Sequence, residues 1–109
     1  LNAQLAAVDA VREGVTAESV DRAARSVLAS AGLDRLFVHS TGHGLGLEIH
    51  EAPTLRKKEK SLLRAGMVIT IEPGAYREGF GGVRIEDTVV VTPNGCEILT
   101  PTPKELVYL

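Results

Sequence analysis

The chain contains a single cysteine, Cys96. No disulfide can therefore form within it, and a reducing compartment, the cytoplasm, is the expected setting. Cys96 follows the turn residues Asn94-Gly95, with no histidine or basic group near it in sequence. It reads as a small half-buried residue rather than a nucleophile. There is no basic stripe. The densest run, Arg56-Lys57-Lys58-Glu59-Lys60, is short and interrupted by an acid, as in a solvated loop, so nucleic acid is not an expected partner. No apolar stretch approaches the roughly 20 residues that cross a bilayer, so a membrane is not expected either. No signal peptide is visible, and the chain opens on Leu1 rather than Met, as a processed or excised segment would. Repeats, low-complexity tracts and interdomain linkers are also missing.

What is present is ordinary in bulk and concentrated in detail. A length of 109 residues, 44% hydrophobic and 24% charged, with a net charge of -2, describes one small globular domain or part of a larger one and excludes a disordered chain. All three histidines, however, fall between positions 39 and 50, and six of the eleven glycines lie in the stretches Gly42 to Gly46 and Gly79 to Gly82.

The first third predicts two helices. Leu5, Val8 and Val11 recur at helical spacing until Gly14. Thr16 is a fitting N-cap, with Glu18 in the positive first turn. Val20, Ala23, Ala24, Val27, Leu28 and Ala31 then form one apolar face, while Asp21, Arg22 and Arg25 point elsewhere. Gly32 stands where a left-handed C-cap belongs. Leu36-Phe37-Val38 predicts a short strand. Gly42 to Gly46 is too rich in glycine for the interior of a regular element, and His50 to Lys60, with Pro53 and many charges, predicts a surface loop. Met67 to Ile71 predicts a strand stopped by Pro73-Gly74. Val83 to Val91 predicts a second, and Cys96 to Leu99 a third antiparallel to it across Pro93-Asn94-Gly95. Thr100 to Leu109 reads as an extended tail. Helices followed by antiparallel strands make the class α+β.

Chemistry-bearing residues converge on the strands. Alternation puts Arg84, Glu86 and Thr88 on one face of the second strand, and Glu72 ends the first immediately before a rigid turn. His43 lies among glycines that let backbone approach closely. One histidine and two glutamates suit Mn²⁺, Co²⁺ or Zn²⁺. Two such ions side by side need bridging carboxylates and more ligands than these three. From the residues alone two readings stand: His43, Glu72 and Glu86 as metal ligands, or a loop histidine and two ordinary strand glutamates. Tyr76 and Phe80 are expected to fill the hairpin between the glutamate strands. The Gly42-His43-Gly44-Leu45-Gly46 segment lacks the lysine, following helix and spacing of a nucleotide-binding turn.

Three ordered segments carry a resemblance. His39-Ser40-Thr41-Gly42-His43-Gly44-Leu45-Gly46-Leu47-Glu48-Ile49-His50-Glu51-Ala52-Pro53 resembles the histidine segment of the pita-bread metallopeptidases, which include methionine aminopeptidase, Xaa-Pro aminopeptidase and prolidase. Gly66 to Gly74 resembles their first glutamate strand and Gly81 to Asp87 their second. Arg84-Ile85-Glu86-Asp87 is of the prolidase and Xaa-Pro aminopeptidase form. The resemblance covers nearly the whole chain. It implies that His43 and Glu72 bind one metal, that Glu86 bridges two, and that Glu72 doubles as general base for the attacking water. It implies that His39 and His50 contact the substrate or its tetrahedral intermediate, and that Arg84 supports the site by pairing with nearby carboxylates. It further implies two divalent ions, Mn²⁺ foremost, and a peptide with proline in second position as substrate.

The family's two aspartate ligands have no counterpart. The aspartates before the histidine segment, Asp9, Asp21 and Asp34, each sit on or beside a predicted helix. Residues 1–109 are thus expected to be the C-terminal half of the catalytic domain without its aspartate-bearing half. Such a piece should be inactive by itself, and its uncovered apolar surface favours a homo-oligomer. The alternative is a pita-bread module that binds peptide or protein without catalysis; retention of His43, Glu72 and Glu86 together weighs against it.

Overall fold

The computed structural model describes residues 1–109. Helix α1 (Asn2–Ala10) and helix α2 (Ala17–Ser30) lie together against a five-stranded antiparallel sheet. The strands are β1 (Gly42–Gly44), β2 (Glu51–Leu55), β3 (Val68–Ile71), β6 (Asp87–Val91) and β7 (Cys96–Ile98), in the order β2-β1-β3-β6-β7. A separate two-stranded ribbon is made by β4 (Gly74–Arg77) and β5 (Gly81–Arg84). The α+β class is as expected.

The two layers join through small helical residues set against branched strand residues. Ala3, Ala7, Val11, Ala17, Val20 and Ala24 share one buried cluster with Leu55, Leu63, Ile69, Ile71, Val89 and Val91. Alanines let the helices sit close to the sheet, and β-branched residues suit its pleated face. Helix α2 starts as its sequence predicts: the Thr16 side chain accepts the Ser19 amide. At its far end Gly32 is left-handed, at φ 70°.

Several expectations are corrected. Helix α1 ends at Ala10, Val11 is already extended, and Leu5 faces solvent while Gln4 is buried. Asp21 does not point away from the core; it is 1% exposed. Residues 34–36 form a turn of 3₁₀ helix in place of the strand expected at Leu36. The glycine-rich segment is a strand after all. Gly42 and Gly44 are wedged between β2 and β3, and a Cβ on either would meet the backbone of Thr70 or Ala52, so only glycine fits. The expected loop after His50 contains β2, an edge strand, where Pro53 is tolerated because its missing N–H faces no partner strand. The chain resumes as β4 directly after the Pro73 stop. The long strand expected over Val83 to Val91 is broken between Arg84 and Asp87: β5 pairs with β4, and β6 pairs with β3 and β7. Phe80 does not fill the ribbon; it stands exposed at its tip near Arg77.

Candidate metal centre and cleft

Strand β1 carries one side chain beyond glycine, that of His43. Its ring is fixed at two points. Nδ1 lies 2.8 Å from the Gly44 carbonyl oxygen, which can only accept, so Nδ1 carries a proton and Nε2 is the nitrogen that a neutral ring offers as a lone pair. Nε2 then faces Glu72 Oε1 at 3.0 Å. Glu72 is set by the end of β3 and by its neighbours. Its amide donates to the Thr41 carbonyl at 2.6 Å, and the Thr70 hydroxyl donates to its Oε1 at 2.9 Å. The same hydroxyl accepts the His43 amide at 3.1 Å, so one threonine links the two side chains.

Two acceptor atoms at 3.0 Å repel one another unless a proton or a cation lies between them. The second-site bond from the imidazole to a carbonyl is the arrangement that fixes a metal-binding histidine. Nitrogen and oxygen ligands about 2.0–2.2 Å from one ion, at roughly a right angle, also stand about 3 Å apart. The pair therefore fits a divalent ion as two adjacent ligands. It does not form a complete site, since no group of three His, Cys, Asp or Glu side chains converges to hold an ion.

Glu86 lies in the break between β5 and β6, more exposed than Glu72. It does not close on the His43–Glu72 pair. Arg84 stands between the glutamates, its Nε 3.7 Å from an oxygen of each. The convergence expected of His43, Glu72 and Glu86 thus holds for the first two, while Glu86 meets the arginine. The Tyr76 hydroxyl first, and the two glutamates after it, hold the Arg84 guanidinium above its ordinary range, a permanent cation at the mouth of the site.

The remaining histidines flank the pair. His50 stands edge-on to His43, ring centroids 4.6 Å apart. His39 directs Nδ1 to the Ser40 carbonyl at 2.7 Å and accepts the Tyr76 hydroxyl at Nε2, 2.8 Å away. His39, Ser40, His43, His50, Glu72 and Arg84 line one cleft of about 220 Å³. All the singled-out residues except Glu86 line that cleft. Tyr76, expected to fill the ribbon, is hydrogen-bonded to His39. Its signal was faint: an aromatic residue four positions past Glu72, on a strand the sequence pattern did not show.

The model of metallopeptidase family M24 matches residues 1–93. An Xaa-Pro dipeptidase of Pyrococcus horikoshii is 50% identical over 107 residues, which are 98% of this chain and 30% of that protein. Among solved structures, dipeptidase PepE from Mycobacterium ulcerans superposes with a TM-score of 0.93 at 57% identity, over 96% of this chain and 28% of that one. The prolidase from Pyrococcus furiosus superposes with a TM-score of 0.91 at 50% identity, over 94% of this chain and 30% of that one. The chain thus spans about 30% of the length of the curated relatives it matches.

Proposed function

This chain belongs to metallopeptidase family M24 and has the pita-bread arrangement of that family, and from that premise we propose that it forms the histidine- and glutamate-bearing part of a metal-dependent peptidase cleaving Xaa-Pro bonds. The similarity to an Xaa-Pro dipeptidase and a prolidase supports the substrate class. The observation that carries the chemistry is the 3.0 Å approach of His43 Nε2 to Glu72 Oε1, two atoms that a proton or a cation between them would hold together. In this reading His43 and Glu72 would hold one divalent ion, and Glu86 would be a ligand of both that ion and a second. Mn²⁺ is the first candidate, with Co²⁺ and Zn²⁺ next. The other ligands come from polypeptide outside these 109 residues.

When bound, the ions supply a water acidified toward neutrality and an electrophile for the scissile carbonyl. The chain's own groups do the rest. Glu72 takes the proton of the attacking water and returns it to the proline nitrogen as the C–N bond breaks. His50 stabilises the negative oxygen that develops on the carbonyl, and His39, its ring nitrogens engaged with Ser40 and Tyr76, contacts the substrate as part of the cleft lining. Arg84 neutralises the paired carboxylates and so keeps Glu72 and Glu86 side by side.

The test uses the full-length polypeptide and Xaa-Pro dipeptides with and without Mn²⁺. Proline release that needs Mn²⁺, stops with chelator and is abolished by Glu72→Gln is expected. Turnover insensitive to chelator, or kcat retained in Glu72→Gln, would overturn the mechanism. Tight peptide binding without cleavage would favour the binding-module alternative. The 109-residue chain alone should bind Mn²⁺ weakly and release no proline.

A further inference from the structure

We infer that the pair of buried Asp21 and half-buried Arg25 on α2 is the positioning device of the cleft, fixing His39 and Glu72 relative to one another through residues 37–41. The inference takes the roles of His39 and Glu72 from the peptidase reading, but not the way they are held.

Residues 37–41 belong to no helix or strand, yet they present His39 to the cleft. The carbonyls of Phe37 and His39 are met by one side chain in place of a backbone ladder: Arg25 donates from Nη1 to Phe37 at 3.2 Å and from Nη2 to His39 at 2.6 Å. The guanidinium lies over the Phe37 ring, 4.2 Å from its centroid, and that ring stands edge-on to the His39 imidazole at 5.0 Å. Arg25 is itself fixed by Asp21, which takes its Nε at Oδ2, 2.7 Å away. The other oxygen of Asp21 accepts the Thr41 hydroxyl at 2.8 Å. Thr41 then closes the link, because its carbonyl receives the Glu72 amide. One carboxylate therefore reaches the backbone on both sides of His39 and, one bond further, the residue read as the base.

Stability alone does not explain the pair. Asp21 is 1% and Thr41 0% exposed, and a buried ion pair commonly contributes no more than well-packed apolar residues of the same volume would. What apolar residues cannot supply is a planar fork that holds two carbonyls at set angles.

The experiment compares Arg25→Lys, which keeps the charge and loses the fork, with Val20→Ala, a core truncation on the same helix, in the full-length polypeptide. Asp21→Asn serves if Arg25→Lys does not fold. Melting temperature, kcat and KM on an Xaa-Pro dipeptide, and Mn²⁺ affinity by titration calorimetry are read for each. Arg25→Lys is expected to lower kcat and Mn²⁺ affinity by about 10–100-fold, the usual effect of losing a group that orients a ligand. KM should change little. Val20→Ala should lose melting temperature with kcat and Mn²⁺ affinity intact. Equal loss of activity in the two variants at matched stability, or an unchanged kcat in Arg25→Lys, overturns the inference. If the wild type binds Mn²⁺ but cleaves no Xaa-Pro peptide, the peptidase reading falls and the titration alone decides: affinity lost only in Arg25→Lys sustains the positioning role, and equal affinities end it. A wild type that neither cleaves nor binds Mn²⁺ overturns both.

Discussion

The Thr70 carbonyl oxygen occupies the space in which a side chain on Gly42 would begin: a Cβ there would lie 1.7 Å from it. Neither side can yield, since Thr70 pairs with Thr88 of β6 and Gly42 pairs with Leu55 on its other edge. Gly42→Ala should destabilise the fold by about 3 kcal/mol or more, the upper range for overfilling an interior. Urea unfolding at constant m-value checks this; an unshifted midpoint would mean that the strands are less tightly spaced.

Tyr76→Phe removes the hydroxyl that donates to His39 Nε2 and keeps the ring. One neutral hydrogen bond is worth about 0.5–1.5 kcal/mol, so kcat should fall up to about tenfold with little change in melting temperature. Steady-state kinetics on an Xaa-Pro dipeptide decide it. Wild-type kcat would show that the tyrosine has no part in orienting His39.

Asp87 is 3% exposed and collects the tail of the chain. Its Oδ2 accepts Gln4 Nε2 at 2.7 Å, and its Oδ1 accepts the Thr100 hydroxyl and pairs with Lys104 Nζ, each at 2.8 Å. Asp87→Ala strands these partners and should cost about 3 kcal/mol. Thermal and urea unfolding read the loss, and amide exchange should rise first at Leu99 and Thr102, whose N–H groups bond at the anchored tail. A fully stable variant would disprove the anchoring role.

Burial, and after it Asp87 and Asp9, push the Cys96 thiol above its ordinary range. A group raised on folding contributes stability below its unfolded pKa and loses it as pH rises through the folded value. The native chain should therefore react with a disulfide reagent more slowly than the urea-unfolded chain at every pH from about 7 to 9, around the ordinary thiol pKa. It should also lose stability above that range faster than a Cys96→Ala variant. Equal labelling rates in native and unfolded chains would refute the burial.

Helix α2 was legible because its signals are local: a threonine cap, an apolar face repeating every turn and a glycine at the end. The three motif segments were legible for a similar reason, each holding its chemistry in a few adjacent residues. Strand β1 was not, because its lack of side chains answers to the backbones of Thr70, 28 residues beyond Gly42, and Ala52, 8 residues beyond Gly44. Strand β2 was hidden by a proline that only an edge position permits. The break after Arg84 left no mark either, because an extended residue looks alike on both sides of a change of partner. Asp21 and Arg25 read by helical phase alone as pointing away from the apolar face, and only the return of residues 37–41 over α2 gives them partners and covers Asp21.

A strand reduced to glycine on either side of one imidazole has no hydrophobic grip of its own. Its location is dictated entirely by the walls it slides between. The Cα of His43 consequently inherits its place from the two strands that flank it.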